Sequence, residues 1–223
     1  MLATPVHDAG GAVIDGAGYI FGGGRVVAGA TVQRVGASAG SVVVGRLPAV
    51  RADLEAVSIG SEVIVVGGGT PGNPDPRVLA TRDGLSFSVV ARLLIGVRYP
   101  AVATLGGLVY VVGGSTSAGD STAIQMVDPV RGSVRIAGHL PRGLSHAAAF
   151  VLGGRLLVAG GRTGGRAQSS LWQLDPTTGQ VQLIGHLPYA VSDAAAVVVD
   201  GIGYLIGGES VGPVASVVSL TLP

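Results

Sequence analysis

Cysteine is absent from the 223 residues, which excludes disulfides, thiolate metal ligands and cysteine nucleophiles together. Charge is scarce as well: Asp, Glu, Lys and Arg make up 12% of the chain and nearly cancel, at a formal net charge of +1. The arginines are scattered rather than clustered, so nothing points to nucleic acid. Aromatic residues make up only 4%, with one tryptophan, Trp172. No apolar run reaches about 18 residues without a charge or a glycine pair, so no membrane span is expected. The opening MLATPVHDAGG lacks both the positive segment and the apolar core of a signal peptide. With no cysteine to report on redox state, the compartment stays open.

What the chain has in abundance is glycine, 39 residues of it, and the glycines keep a register. The clearest unit runs from Leu140 to His186. In it, Gly153-Gly154 separates the apolar runs HAAAFVL and RLLVA, and the pair suits the positive φ angles of a two-residue hairpin turn. A second diglycine, Gly160-Gly161, ends the second run; a polar loop, SSLWQL, the turn DPTTG and QVQLIGH follow. Four short antiparallel strands result. Leucines at 2, 47, 93, 140 and 187 each stand twenty residues before a diglycine, at intervals of 45, 46, 47 and 47 residues. Thirteen residues after each leucine comes Asp15-Gly16, Gly60-Ser61, Gly106-Gly107, Gly153-Gly154 or Asp200-Gly201, all suited to primed turns. That period with four strands is the arithmetic of a β-propeller blade. The repeats are residues 2–46, 47–92, 93–139, 140–186 and 187–223, expected to form one domain covering 1–223. The prolines of GGGTPGNPDP predict an unpaired surface loop before Val78. The last repeat ends after a third strand, expected over Val214 to Leu222, so its blade is expected to be three-stranded.

The apolar runs ending in a double glycine, with Tyr19, Tyr110 or Tyr204 ahead of it in three repeats, resemble the kelch repeat, in the Gly/Ala/Val-rich style found in bacteria. The resemblance implies an all-β fold, a five-bladed kelch-like β-propeller of four-stranded antiparallel blades. It also implies export from a bacterial cell, against the visible N-terminus. Galactose oxidases are kelch propellers, but their copper centre needs a cysteine, which this chain lacks. No cofactor and no metal site are expected.

Candidate functional residues are those the fold does not require. Six residues after each leucine stand Asp8, Asp53, Tyr99, His146 and Asp193; just before them stand His7, Ala52, Arg98, Ser145 and Ser192. Both columns are expected at the start of the first strand, which the resemblance makes the innermost, so that they line one mouth of a central channel. Along a regular strand only one column faces the axis. Glu55, two residues past Asp53, is expected to share its face. The resemblance brings the residues after each diglycine to the same mouth, adding Arg25, Arg162 and Glu209. An alternative without any ligand is that Asp and Ser here cap backbone N–H groups or tie blades together. The tyrosines read as core, Trp172 as packing, and Arg46, Arg92, His139 and His186 as a solvated outer rim.

Two functions follow from these residues. One is a non-catalytic binding or scaffolding propeller that holds a protein, peptide or glycan at the polar mouth. The other is a carbohydrate-active enzyme of the mutarotase or epimerase type, with acid–base work drawn from His146, Asp193, Arg98 and Glu55. Self-association through the incomplete fifth blade is a further expectation, since an open sheet edge invites another chain.

Overall fold

A computed structural model of the chain describes residues 1–36 and 40–222. Every regular element among them is a β-strand, and no helix is long and apolar enough to cross a membrane. The first sheet contains β1 (Gly10–Ile14), β2 (Ala17–Phe21), β3 (Thr31–Gly36) and β4 (Gly40–Arg46), in that order. The second contains β5 (Ala52–Ile59), β6 (Glu62–Thr70), β7 (Asn73–Pro74), β8 (Arg77–Thr81) and β9 (Ser88–Arg92). The third has β10 (Ala101–Leu105), β11 (Leu108–Val112), β14 (Ala123–Asp128) and β15 (Ser133–His139), with a small hairpin of β12 (Ser115–Thr116) and β13 (Gly119–Asp120). The fourth repeats this with β16 (Ala148–Leu152), β17 (Arg155–Ala159), β20 (Ser170–Leu174) and β21 (Val181–His186), and a hairpin of β18 (Arg162–Thr163) and β19 (Arg166–Ala167). The fifth has three strands, β22 (Ala195–Val199), β23 (Ile202–Ile206) and β24 (Val217–Leu220). The fold is a β-propeller of five antiparallel blades, the last three-stranded.

The turn chemistry explains the register. Each of the first hairpins closes over two residues: Ile14 pairs with Ala17, Ile59 with Glu62, Leu105 with Leu108, Leu152 with Arg155 and Val199 with Ile202. In four of the turns both central residues have positive φ, as in Asp15-Gly16 at 47° and 75°. In Gly60-Ser61 only the glycine does, which is where a type II′ turn needs it. The DPxxG turns are held as expected: Asp128 Oδ1 accepts from the N–H groups of Val130 and Arg131, and Asp175 Oδ1 from those of Thr177 and Thr178.

The expected proline-rich loop is different. Its residues form a tight hairpin in which Gly69 pairs with Pro74 and Thr70 with Asn73. Pro74 sits on the short edge strand β7, where the lack of an N–H is tolerated.

Contacts divide the chain into two compact units, Met1–Tyr99 with Val127–Val134, and Pro100–Met126 with Arg135–Pro223. In the first unit Ile14, Phe21 and Val32 pack on Leu54, Ala56, Val63 and Val65, sheet against sheet. In the second, Ala101, Ala103, Tyr110 and Val112 pack on Leu156, Val158 and Leu174, while Phe150, Leu152 and Leu157 meet Leu187, Val191 and Leu205. The leading leucines 47, 93, 140 and 187 are all buried. Tyr110 is core, and Tyr19 is stacked beside Phe21 and half-buried. Arg46, Arg92, His139 and His186 are exposed at the ends of the outer strands.

Candidate functional site

The column of Asp8, Asp53, Tyr99, His146 and Asp193 shares one backbone state: all five have φ between 52° and 61°, in the left-handed region. Asp and His are among the few side chains that enter this region without great cost, and a tyrosine there is unusual. The sequence predicts this column at the start of the first strand; it does not begin a regular strand. In four sheets it lies two residues ahead of the first strand, and only Asp53 falls inside one, β5. The left-handed residue breaks the alternation of side chains, so the rule that only one column points inward does not apply, and Glu55 does not inherit the face of Asp53 from its spacing.

The purpose of this conformation is visible in the hydrogen bonds. The Asp53 N–H donates to the Asp8 carbonyl at 2.8 Å, the Tyr99 N–H to the Asp53 carbonyl at 2.8 Å, and the Asp193 N–H to the His146 carbonyl at 2.9 Å. The column thus ties neighbouring sheets through its backbone, which leaves its side chains available for other contacts. The preceding column pairs with the residue after the diglycine: His7 with Gly24, Ala52 with Gly69, Ser145 with Arg162 and Ser192 with Glu209. These bridges place Arg162 and Glu209 beside the segments entering the fourth and fifth sheets.

In the second unit the predicted residues converge. The His146 Nδ1 lies 2.6 Å from Asp193 Oδ1, and the Arg162 guanidinium reaches both Asp193 Oδ2 at 3.2 Å and Glu209 Oε2 at 2.6 Å. Arg162 Nε also donates to the Ser192 hydroxyl at 2.9 Å. Burial alone would push the Asp193 carboxyl up, but the hydrogen bonds from His146 and Ser192 and the charges of His146 and Arg162 outweigh it and hold the carboxyl below its usual range. All four side chains stay in contact with solvent, 15–56% exposed.

In the first unit Asp53 and Arg98 form a close ion pair, with the Asp53 side chain almost fully buried. The Arg98 guanidinium lies 5.3 Å over the Tyr99 ring, within cation–π range. Burial, and then a hydrogen bond to Asp53, raise the Tyr99 phenol. His7 bridges Asp8 at 2.7 Å and the carbonyl of Arg25 at 3.0 Å; the carbonyl contact first, then Asp8, raises its pKa, since both ring nitrogens face acceptors. Arg25 contributes its backbone to this contact while its side chain is exposed. Glu55 stands apart from these pairs. It is half-buried, and desolvation pushes its carboxyl up to about 7 against the lowering effect of the Ala56 N–H.

Sequence reasoning passed over Arg51, which is 1% exposed. Its guanidinium lies 2.5 Å from Asp75, which also takes a forked pair of bonds from Arg77. A signal was present: position 51 is the one arginine in a column otherwise occupied by Val6, Val97, Leu144 and Val191. Trp172 is half-buried against the core and lines a cavity of about 310 Å³ with Leu140, Arg142, Thr163, Gln168 and Leu183. Among the described residues no group of three or more His, Asp or Glu is placed to hold a metal ion.

Comparison with known proteins places the Kelch motif at residues 143–188. The solved structure of YjhT superposes with a TM-score of 0.86 at 16% sequence identity, over 99% of this chain and 82% of that one. No curated protein matches the sequence.

Proposed function

We propose that this chain, a β-propeller with a Kelch motif at residues 143–188, is a non-catalytic recognition module that holds a protein, peptide or glycan, in keeping with a fold that serves binding and scaffolding in general. The supporting observation is the network of His146, Asp193, Arg162 and Glu209 with Ser192, where four partly exposed polar side chains are preorganised at the sheet entries and on the short strand β18. Arg162 is shared between two carboxylates. A ligand carboxylate or hydroxyl exchanges with one of them at little cost, because the guanidinium keeps donors for both. The pair of Asp53 and Arg98 with Tyr99, and the contact of His7 with Asp8, are further polar positions of the same columns.

One observation supports a second reading, a sugar mutarotase or epimerase-like enzyme. Glu55, with a pKa near 7 and partial access to solvent, both takes and gives a proton at neutral pH.

The experiment that separates them screens the parent and a His146→Ala/Asp193→Asn variant on glycan and peptide arrays, and follows the rotation of reducing sugars with both. Recognition predicts an array ligand for the parent whose affinity falls at least roughly tenfold in the variant, with no turnover in either. A parent that binds nothing on either array sinks the recognition reading; turnover abolished by Glu55→Gln replaces it with the enzyme.

A further inference from the structure

We propose that the cavity beside Trp172 is a second recognition site, which takes a primary carboxamide, that of a glutamine side chain presented by a peptide partner. The residues that line it all belong to the fourth repeat, and none is a member of the network of His146, Asp193, Arg162, Glu209 and Ser192. The two sites therefore stand or fall separately.

The other repeats show what occupies the place of Trp172. One residue of the third strand lies opposite the residue eighteen positions after the leading leucine: Gln33 opposite Ile20, Leu79 opposite Val65, Trp172 opposite Val158 and Val218 opposite Leu205. In the third repeat, counting back from the shared DPxxG turn gives Gln125. Gln33 is fully buried, and its carboxamide grips the chain that enters the first sheet. Its Nε2 donates to the Thr4 carbonyl at 2.8 Å, and its Oε1 accepts from the Thr4 N–H at 2.9 Å. Thr4 stands two residues after its leading leucine, and its counterpart in the fourth repeat is Arg142.

In the fourth repeat that grip is missing. Trp172 has no amide, and among the described residues neither the N–H nor the C=O of Arg142 has a hydrogen-bond partner. A neighbouring bond of the first repeat, from the Ala3 N–H to Ser41 Oγ at 2.7 Å, is lost here at both ends, since Pro141 has no N–H and Val181 no hydroxyl at the corresponding positions. The bond to the carboxamide is lost at one end only. Its donor and acceptor remain on Arg142, and Arg142 and Trp172 both line the cavity of about 310 Å³. In the second repeat the substitute for glutamine, Leu79, is packed away at 1% exposure, whereas Trp172 is only half-buried.

The chemistry of that gap selects the ligand. A primary carboxamide presents an acceptor oxygen and a donor N–H on one edge, and so repeats on Arg142 both bonds that Gln33 makes to Thr4. A trans secondary amide, as in a peptide bond or an acetamido sugar, turns its N–H and C=O to opposite sides, and one such group cannot bridge both atoms of Arg142. The volume is at the low end for small-ligand pockets, roughly 300–1,000 Å³, which suits one long side chain with its flanking backbone. Trp172 and Leu183 supply apolar wall for its methylenes. The second amide proton finds acceptors in the Ser170 hydroxyl and in Gln168 Oε1, the Gln168 Nε2 being engaged with the carbonyls of Arg166 and Ala167.

The test is calorimetric titration of the full chain with two short peptides, one with a central glutamine and one with glutamate in its place, and with N-acetylglucosamine. Both peptides carry acetyl and N-methylamide ends, so that the glutamine side chain is the only primary amide. Trp172 is the only tryptophan, and its emission reports on this cavity in the same titration. The expected result is a Kd of about 1 mM or below for the glutamine peptide and no binding of the sugar. The glutamate peptide is expected to bind at least roughly tenfold more weakly, because its carboxylate has no proton for the Arg142 carbonyl. Trp172→Gln, which copies Gln33 and seats a tethered carboxamide, is expected to abolish binding, and Trp172→Phe, which keeps an aromatic wall, to retain it within about threefold. Should Trp172→Gln unfold, the contrast between the two peptides in the parent and in Trp172→Phe decides. No response to the glutamine peptide, equal affinity for the glutamate peptide, undiminished binding by Trp172→Gln, or binding of N-acetylglucosamine in place of the peptide overturns the proposal.

Discussion

Asp8 illustrates how a residue that looks functional can have a backbone reason to exist. Its φ of 54° is shared by the whole column, and its carbonyl accepts from the N–H of the next member, Asp53, as those of Asp53 and His146 accept from Tyr99 and Asp193. Two demands act on one position: a left-handed backbone that ties sheets, and a polar side chain that pairs locally. They are separable. Asp8→Asn keeps the conformation and is expected to unfold within about 0.5 kcal/mol of the parent, while Asp8→Val puts a β-branched side chain at positive φ and is expected to cost about 1–2 kcal/mol, read from denaturant unfolding. Equal losses in both variants would show that the side-chain contact to His7, rather than the backbone, carries the position. The recurrence of Asp and His was a legible hint of this conformation, but Tyr99 concealed it, because nothing local recommends a tyrosine there. Arg51 was obscured in the opposite way: its partner Asp75 lies 24 residues on, and only folding brings the two together.

At the scale of the strand and its turn, glycine does two jobs that the sequence writes identically. Gly106 has φ of 61°, and a Cβ built there meets no atom within 4 Å. Gly113 has φ of 62°, but its Cβ would collide with the carbonyl oxygen of Leu144 in the loop entering the next sheet. The neighbouring Gly114 N–H donates to that same carbonyl at 2.8 Å, and Gly23, Gly68 and Gly161 make the corresponding bonds to Arg51, Val97 and Val191. The diglycine is thus a close-approach device between sheets as well as a strand end. Gly106→Asp, which copies Asp15 and Asp200, is expected to be neutral or to stabilise by up to about 0.5 kcal/mol, whereas Gly113→Ala is expected to cost about 2 kcal/mol or more. Thermal unfolding of the pair checks this; similar melting temperatures would mean that φ alone matters. Turn type and hairpin register were readable because each depends on a dipeptide, and the short hairpin at Asn73–Pro74 was not, because its prolines argued against any ladder there.

For the molecule as a whole, two groups of carboxyls set opposite slopes of stability against pH. Burial raises the Asp75 carboxyl, yet the bonds from Arg77 and the charge of Arg51 outweigh it, and its pKa ends at about 2 against an ordinary 3.8. A depressed acid stabilises above its unfolded value and loses that contribution as pH falls toward 2. Glu55 is the reverse: from an ordinary 4.5 desolvation lifts it to about 7, so ionising it costs stability as pH rises between those values. The stability maximum is therefore expected near pH 4 to 5, with a fall of about 2 kcal/mol toward neutrality that Glu55→Gln removes. Chemical denaturation at several pH values measures it, and an unchanged slope in the variant would sink the assignment to Glu55.

The five repeats, their two-residue hairpins, the short last sheet and the identity of most polar candidates were determined by the sequence alone, because period and turn preference are local properties of the chain. Tertiary structure decided which of those polar groups meet: His146 and Asp193 are 47 residues apart, as are Arg162 and Glu209, and their pairing depends on how one sheet is laid against the next.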